Sequence, residues 1–460
     1  MNAILIYVCG NYYKGWVMYI MNSKISISRN SKIPYNFVAL NVIMLLVIFL
    51  PRSVNFRYII ILALVILSFF ADGVKTKYLN MNLGMFIYAG TFIISEVIHL
   101  YSGSLKDIFV FLTMFVFLRY IIFVGLGDMN RFLNFLEGIS IFSVIYGILG
   151  IIEAFTTFNI FDLIFDRSFE LVGANTYRYG IYRGHGVCTI SINNGMLLVF
   201  FLCITGYLLF NHISKRRKIL TVTYFVLLVA IGLNLSRMVW LVAIATQCII
   251  AVKCGMSWIL KRVAIVLAIF IILLPILGQF IETVQSFLQS MFLSLINLDY
   301  MESNSGAGGI GERLMLWSVV FEKVKDSKVF GVGFMENFSV QMTTIYGSTI
   351  TKESIEIHWL YVLWQKGLFG MIGFIIYQIS CLVYCWKRKK QQFEEQHFSF
   401  NFLMVVVSIS YFAAIFSFAG FEDLYFFYIM FSICEAYNNI LKKESSSKTG
   451  FSHNKIEEIL

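Results

Sequence analysis

Three charged or titratable side chains lie at the ends of apolar segments, where they can meet a polar substrate at a membrane surface. Arg237 lies in a very short turn between two apolar runs, and Arg313 precedes Trp317 by four residues after a glycine-rich stretch. His358 opens a later apolar run, with Tyr361 on the same face at helical spacing. Guanidinium groups suit phosphate, and a neutral imidazole can accept a proton from a hydroxyl. The set therefore predicts an anion site and a proton acceptor.

Each of these residues also has a structural interpretation that the sequence leaves open. A charge at the depth of Arg237 costs on the order of a few kcal/mol unless it pairs with an anion or extends to the interface. The stretch before Arg313 is typical of a flexible linker, and an interfacial histidine such as His358 often only packs. Arg119, near the end of an apolar run, is interpreted as an interface residue whose charge extends to water.

A second polar group surrounds the sequence Tyr-Arg-Gly-His-Gly at residues 182–186. It contains Arg183 and His185, and Arg178 shortly precedes it. Asp162 and Asp166 have helical spacing, but the residues between them are apolar and no histidine is close in the sequence. No divalent metal site is therefore expected there, and no cofactor is predicted elsewhere.

The elements that hold these residues must be membrane-spanning helices. Hydrophobic residues make up 59% of the 460-residue chain and charged residues 13%, with a mean hydropathy of +0.78, whereas about 25% of a soluble domain is charged. The apolar segments are continuous rather than alternating, which favours helices over a barrel. The net charge of +10 does not indicate nucleic-acid binding, because the basic residues cluster beside the apolar segments.

The apolar segments predict an all-α polytopic membrane protein with about twelve transmembrane helices. The predicted spans are residues 36–50, 57–71, 83–100, 107–126, 132–155, 187–210, 219–235, 237–253, 262–279, 358–386, 399–419 and 421–440. They divide the chain into six parts. These are N-terminal transmembrane helices (1–155), a first periplasmic loop (156–186), central transmembrane helices (187–279), a large periplasmic loop (280–357), C-terminal transmembrane helices (358–440) and a polar, disordered cytoplasmic tail (441–460).

Basic residues in the short connections predict the orientation, because lysine and arginine are retained on the cytoplasmic side. The runs 215–218 and 387–390, with Lys442 and Lys443, all fall on one face of a twelve-span arrangement. Both termini are therefore expected in the cytoplasm, and the two loops on the other side. Arg57, in the first hairpin, opposes this rule.

The large loop is expected to carry an amphipathic helix on the outer membrane surface. Its glycine-rich residues 303–311 lead into residues 312–328. Apolar residues recur there at helical spacing, namely Leu314, Trp317, Phe321 and Val324. Arg313 would lie in the first turn, where the free N–H groups of the helix add to its positive charge.

The order of these motifs resembles that of the O-antigen polymerase and O-antigen ligase superfamily of bacterial membrane glycosyltransferases, which implies a GT-C-like fold. The resemblance covers residues 180–375. It is carried by Arg183-Gly184-His185-Gly186 with Asn193-Asn194, by Ser236-Arg237, by Arg313 with Trp317 and the Gly-Val-Gly-Phe of residues 331–334, and by His358 with Gly367 and Gly370. The sequence departs from the family at Trp359, where many relatives have asparagine.

The resemblance implies transfer of a glycan from undecaprenyl pyrophosphate to an acceptor hydroxyl on the periplasmic side, without a metal. By position, Arg237 and Arg313 would hold the pyrophosphate, and His358 would act as the base or orient the acceptor. Further substrate contacts would come from Arg178, Arg183, His185, Tyr361 and Trp317. The resemblance also implies the bacterial inner membrane, contact with membrane lipids, and a chain-length regulator protein as a partner.

Two alternatives stay open. A flippase or other transporter of lipid-linked oligosaccharides can also have about twelve spans, but transporters commonly carry internal repeats and charges near the membrane centre, and no repeat is evident here. Within the superfamily, a ligase moves finished glycan onto lipid A core, whereas a polymerase adds it to a lipid-linked repeat unit. A polymerase is favoured because the superfamily's polymerases are the more divergent group and this sequence matches only the short motifs.

Overall fold

The computed structural model is a bundle of apolar helices with two small β-hairpins. It describes residues 34–51, 56–73, 75, 81–99, 104–165, 177–178, 181–188, 190–255, 310–333, 340–343, 349–352, 355, 357–392, 396–416 and 421–457. The helices are α1 (Tyr35–Phe49), α2 (Phe56–Asp72), α3 (Leu83–Ile98), α4 (Ser104–Gly125, with a π-helical turn over Thr113–Phe117), α5 (Met129–Thr156), α6 (Ile160–Phe165), α7 (Ser191–Phe210), α8 (Arg217–Leu233), α9 (Arg237–Lys253), α10 (Ile310–Val324), α11 (His358–Arg388), α12 (Phe400–Ala414) and α13 (Phe421–Glu457).

The hairpins lie in the two predicted loops and are antiparallel. One pairs β1 (Tyr177–Arg178) with β2 (Ile181–Tyr182), and the other pairs β3 (Val340–Thr343) with β4 (Thr349–Lys352). In the second hairpin, Val340 is opposite Lys352 and Thr343 is opposite Thr349. The prediction of an all-α membrane protein is therefore confirmed for the bundle, and the loops add strands that the sequence analysis did not anticipate.

Eleven of the twelve predicted spans coincide with helices, and the twelfth, residues 262–279, lies outside the described residues. In the described part of the chain, α4, α5, α7 and α11 are each long and apolar enough to cross a membrane, and α1, α2, α3 and α12 are apolar but shorter. The count of twelve spans stays a prediction. The prediction of a disordered tail is wrong for residues 441–457, because α13 continues to Glu457. A helix that is already formed in the bundle extends without a new nucleation cost.

The bundle has two chemically different ends. Asn211, after α7, exchanges hydrogen bonds of 3.2 and 3.0 Å with the backbone of Phe398, and the Ser399 hydroxyl donates to the Lys389 carbonyl at 2.6 Å. The basic runs 215–218 and 387–390 thus lie at one end, called the basic end. Their placement at the same end is what the orientation predicted from the sequence requires.

The opposite end, called the loop end, holds the residues that the sequence analysis selected. The Asn234 amide, after α8, donates to the Ser191 carbonyl at the start of α7 at 2.6 Å. The backbone N–H of His358 donates to the Ile415 carbonyl, just after α12, at 3.2 Å. Because α7 and α12 pack together and their other termini meet at the basic end, these contacts place Arg237 and His358 at the same end of the bundle.

Helices α3 and α11 pack antiparallel at close range. A Cβ on Gly373 would overlap the side chain of Thr91, and a Cβ on Gly84 would overlap that of Ser380. Small residues allow such close backbone approach between helices in a membrane. Towards the loop end, Glu96 of α3 forms a buried ion pair with Lys366 of α11, and Lys366 also lies 3.8 Å from the centre of the Phe92 ring.

Helix α11 is interrupted at Gly367, where φ is 60° and ψ is −163°. The interruption frees backbone groups on both sides, and residues 328–333 satisfy them. Four hydrogen bonds join the two segments, with the N–H donor named first: Val332 to Trp364 (2.7 Å), Gly333 to Gln365 (3.2 Å), Leu368 to Lys328 (2.9 Å) and Phe369 to Val329 (2.9 Å). His99 of α3 adds a hydrogen bond of 2.9 Å from Nε2 to the Phe330 carbonyl. Residues 364–369 of α11, residues 328–333 and His99 are together called the α11 junction.

Buried arginines inside the bundle are paired rather than extended to water. The Nε of Arg119 lies 2.7 Å from Glu435 Oε2, and both side chains are only 5% exposed. The interpretation of Arg119 as an interface residue was therefore wrong. Arg57 donates to the Leu50 carbonyl at 2.6 Å and to the Tyr58 hydroxyl at 2.9 Å. That inward contact explains how Arg57 can depart from the charge rule, because its charge stabilises the end of α1.

Substituting Gly367 with alanine tests the α11 junction. A residue with a Cβ is disfavoured at this positive φ and extended ψ by about 1–3 kcal/mol, and a Cβ there would also overlap the Gly331 backbone. We expect Gly367→Ala to lower the thermal unfolding temperature in detergent clearly. Gly90→Ala is the matched control, because Gly90 lies in α3 with open space around its Cβ position. Equal unfolding temperatures for both variants would contradict the account.

Truncating Glu435 tests the buried ion pair. Removing one partner leaves the other charge buried, which costs about 3–5 kcal/mol, so Glu435→Ala should sharply reduce the free energy of unfolding. Arg119→Leu combined with Glu435→Leu should recover much of this loss. The control is Glu137→Ala, since the Glu137 pair with Arg216 is long, at 4.0 Å, and partly exposed; such pairs contribute about 0–1 kcal/mol. A loss for Glu435→Ala no larger than for the control would refute the pairing.

Candidate functional site

The loop that carries Arg183 and His185 is clamped to the end of α5 by one carboxylate. Glu153 accepts the backbone N–H of His185 at 3.0 Å and that of Gly186 at 3.1 Å. A Cβ on Gly184 would lie 3.0 Å from the Glu153 carboxylate. Gly186 has a φ of 55°, and a Cβ there would overlap the Tyr146 hydroxyl. The glycines of the Arg-Gly-His-Gly motif are therefore needed for close approach to α5.

Asn194, from the same sequence motif, completes the clamp. Its amide donates to the Gly184 carbonyl at 3.0 Å, and its side-chain oxygen accepts the Tyr146 hydroxyl at 2.6 Å. The start of α7 is thereby joined to both the loop and α5. The loop and these contacts, Glu153, Tyr146 and Asn194, are called the Arg183 clamp.

Arg183 connects the clamp to the turn that precedes Arg237. Its side chain is buried, and Nε donates to the Asn234 carbonyl at 3.2 Å. The chain then reverses through Leu235, at φ 55°, and Ser236 before α9 begins at Arg237. Arg183 and Arg237 are 54 positions apart in the sequence. The hydrogen bond from Arg183 to the Asn234 carbonyl joins the segments that carry them.

Arg237 differs from Arg183 in its contacts. Its side chain is half-buried, and it forms no hydrogen bond or ion pair in the part of the chain that the structure describes. As the first residue of α9, it lies beside backbone N–H groups that have no helical acceptor. The helix terminus adds partial positive charge to that of the guanidinium, which favours an anion.

His185 lies between two carboxylates. Its Nδ1 is 3.2 Å from Glu153 Oε1, and its Nε2 is 2.9 Å from Asp162 Oδ2. The Tyr182 hydroxyl is 3.4 Å from Nδ1. Asp162 therefore has a histidine beside it in space although none is near it in sequence. Among the described residues, no group of three or more His, Cys, Asp and Glu side chains is arranged to hold a metal ion.

His358 opens α11 as predicted, but its ring faces the bundle interior. The residue is 3% exposed, and its ring lies 5.2 Å from that of Phe374 and is stacked on Tyr361 at 6.5 Å. Gln365 donates to the Tyr361 hydroxyl. The prediction that Tyr361 shares a face with His358 agrees with these contacts, whereas an imidazole open to the membrane surface does not. Next to it, Trp359 stacks on Phe416 at 4.7 Å.

Helix α10 contains Arg313 and Trp317. It begins at Ile310, two residues earlier than predicted, and packs against α11. Its buried residues are Leu316, Val320 and Val324, with Trp317 half-buried beside them. Phe321, expected on the apolar face, is 53% exposed. The buried face is therefore turned towards α11, because protein packing rather than a flat lipid surface selects it.

Two of the predicted site residues are described through their backbone alone. Arg178 lies in β1, opposite Ile181 of β2, and Arg313 lies in the first turn of α10. Their side chains are outside the described part of the structure. The structure thus brings together Arg183, His185 and Arg237, and it places His358 at the same end of the bundle.

Sequence reasoning missed Glu153, although the sequence carried a signal for it. Glu153 is the one acidic residue near the end of an otherwise apolar span, and ionisable groups inside a membrane segment are commonly functional or paired. Two polar residues at the end of α3 also form contacts inside the bundle. Glu96 pairs with Lys366, and His99 contacts the Phe330 carbonyl of the α11 junction.

These features define a class of protein: an α-helical membrane protein that presents arginines and imidazole groups at one end of its bundle. Residues 222–375 match the family model described as O-antigen ligase. The matched segment contains Arg237, Arg313 and His358, and it confirms the resemblance to the O-antigen ligase and polymerase superfamily of membrane glycosyltransferase-like enzymes. No curated protein matches the chain.

Removing the Glu153 carboxylate tests the clamp. Without it, the buried N–H groups of His185 and Gly186 lose their acceptor, so we expect Glu153→Ala to speed amide hydrogen exchange across residues 183–188 by about tenfold or more. A lost buried acceptor costs on the order of 1–3 kcal/mol, and about 1.4 kcal/mol corresponds to tenfold. Glu137→Ala, on the same helix near the basic end, should leave this exchange unchanged. Slow exchange in both variants would show that Glu153 does not hold the loop.

Proposed function

We propose that this protein is a bacterial surface polysaccharide (O-antigen) polymerase. It would transfer a growing glycan from undecaprenyl pyrophosphate to a lipid-linked repeat unit. The observation that carries the proposal is the connection of Arg183 to the turn before Arg237, inside a bundle whose residues 222–375 match the O-antigen ligase family.

The chemistry of the leaving group explains why arginines suit this site. When the bond between the sugar and the lipid pyrophosphate breaks, negative charge grows on the pyrophosphate oxygen atoms. Fixed cations stabilise this charge without reorganising, and planar guanidinium groups make paired hydrogen bonds to phosphate. Arg237, at a helix N-terminus, and Arg313, in the first turn of α10, are the proposed pyrophosphate ligands.

The position of these residues suits a lipid-linked substrate. The polyprenyl tail of such a donor stays in the bilayer, and its headgroup meets residues at the end of a span. We place the loop end in the periplasm and both termini in the cytoplasm of the inner membrane, which agrees with the basic runs at the opposite end. Arg178, Arg183, His185, Tyr361 and Trp317 would contact the headgroup and glycan, and a chain-length regulator would act as a partner protein.

The role of His358 is limited by its surroundings. In the mechanism that the family resemblance implies, His358 assists the acceptor hydroxyl. Its ring is enclosed by Phe374 and Tyr361, so the acceptor reaches it only if Tyr361, which is half-buried, moves aside. His358 therefore orients the acceptor through Tyr361 in the arrangement described here.

A ligase is the second candidate, because the matching family model is described by that activity. A deletion strain distinguishes the two on a lipopolysaccharide gel. Loss of a polymerase leaves one repeat unit on the core, whereas loss of a ligase or of a flippase leaves bare core. One repeat unit on core is the result we expect.

Alanine variants of Arg237, Arg313 and His358 test the site assignment. Losing a fixed charge-stabilising contact typically lowers the rate about 10²-fold or more, so the Arg237 and Arg313 variants should each lose that much elongation activity at normal expression. The His358 variant should also lose activity, because the acceptor is no longer oriented. Activity is measured with purified protein in detergent and lipid-linked repeat units extracted from the deletion strain. Detergent removes the closed compartment that a transporter needs, so elongation by wild-type protein also excludes the flippase alternative.

Arg131→Ala is the control for these variants. Arg131 is a partly exposed arginine that pairs with Asp128 near the basic end, so its loss should leave elongation unchanged. Wild-type polysaccharide ladders from the Arg313 and His358 variants would show that the site is assigned incorrectly.

A further inference from the structure

A carboxylate lies beside the Arg183 clamp that the phosphate-binding role does not use. Asp162, His185 and Glu153 form a chain of contacts, with 2.9 Å between Asp162 Oδ2 and His185 Nε2 and 3.2 Å between His185 Nδ1 and Glu153 Oε1. The Asp162 side chain is 23% exposed, whereas those of His185 and Glu153 are 4% and 3% exposed. Asp162 is therefore the most exposed member of this chain of contacts, and the one nearest to solvent.

The structure holds Asp162 in place from two directions. Its carboxylate contacts His185, whose backbone is fixed by Glu153. Its backbone belongs to α6, where the Asn159 side chain accepts the N–H of Phe161 at 2.8 Å. The same Asn159 amide donates to Glu153 at 2.8 Å. One buried glutamate thus positions both the histidine and the short helix, as catalytic groups require.

One loop connects the carboxylate to the turn before Arg237, because it carries both His185, which contacts Asp162, and Arg183. Arg183, two residues before His185, reaches the turn that leads to Arg237. A group transfer from pyrophosphate to a hydroxyl needs cations at the leaving group and a proton acceptor at the attacking group. The Arg183 clamp and the adjacent Asp162 together supply both kinds of group, whereas His358 is enclosed by aromatic rings.

We propose that Asp162 is a catalytic residue that binds the acceptor sugar hydroxyl and accepts its proton, with His185 as its positioning residue. The inference rests on the proposed glycosyl transfer. The acceptor oxygen forms a bond to the anomeric carbon as the bond from that carbon to the pyrophosphate oxygen breaks. The hydroxyl proton passes to the Asp162 carboxylate, and the electron pair leaves with the pyrophosphate, which the arginines stabilise. Water then takes the proton from Asp162.

The test compares Asp162→Asn with wild-type protein. The amide keeps the shape of the side chain and can no longer accept the proton. General base catalysis contributes about 10²–10⁴-fold, so kcat for elongation should fall by that factor. The KM for the lipid-linked donor and the binding of undecaprenyl pyrophosphate, used alone as a probe, should stay unchanged. Asp162→Glu keeps a displaced carboxylate and should restore part of the rate.

Asp128→Asn is the matched control, because Asp128 is an exposed carboxylate near the basic end that also pairs with a cation. It should elongate at the wild-type rate. A second variant, His185→Gln, keeps a donor to Asp162 and should lower kcat less than Asp162→Asn, with unchanged KM. Thermal unfolding in detergent establishes whether each variant is folded. If Asp162→Asn is not folded, kcat and KM of Asp162→Glu and His185→Gln test the role of Asp162 in its place.

The possible outcomes separate this inference from the proposed function. Elongation by Asp162→Asn within threefold of wild type overturns the inference and leaves the proposed function standing. A joint loss of elongation and of undecaprenyl pyrophosphate binding also overturns it, since Asp162 would then act on the structure of the donor site. If wild-type protein itself elongates nothing, the proposed function fails. A selective fall in kcat, with partial recovery by glutamate, supports the inference.

Discussion

The interruption of α11 at Gly367 is the constraint on which the loop end depends. Backbone groups that are freed inside a membrane protein must find partners, because leaving one unsatisfied costs several kcal/mol, on the order of 2–7 kcal/mol in an apolar environment. Residues 328–333 supply these partners. The chain leaving α10 is therefore held against α11 by backbone hydrogen bonds. These bonds add to the packing of Leu316, Val320 and Val324, the buried side chains of the helix that carries Arg313.

Charge inside this bundle is used in two ways. Arg119 with Glu435, and Lys366 with Glu96, are buried pairs that join helices distant in sequence. Isolated charges there would be prohibitively costly, and pairing reduces that cost without making the pair strongly stabilising. Arg237 differs, because it is half-buried and has no partner among the described residues. The paired cations join helices, and the lack of a partner for Arg237 among the described residues agrees with its proposed role as a pyrophosphate ligand.

The sequence predicted the elements better than the contacts between them. Long apolar runs locate helices because each must satisfy its own backbone in the membrane, so the bounds of α9 agree to the residue. The face of α10 was predicted in part: Val324 is buried and Trp317 half-buried, but Phe321 is exposed and Leu316 is buried in its place. Phe321 and Leu316 are both strongly apolar, so the position of α11 decides which of them is buried. The contact between Asp162 and His185 could not be predicted from the sequence, because the two residues are 23 positions apart and only the tertiary fold brings them together.

The Arg183 clamp and the α11 junction each fix a segment of the loop end in position. Stabilising a leaving pyrophosphate depends on cations that are in place before charge develops, and a mobile loop would lose that advantage to the entropy of ordering it. The Arg183 clamp holds one segment through Glu153, and the α11 junction holds another through backbone groups at Gly367. His358 lies between the junction and α12, where Ile415 and the Trp359 stack on Phe416 fix the start of α11. Its burial is consistent with a residue that sets the position of Tyr361, while the partly exposed Asp162 is the carboxylate that we propose for the acceptor.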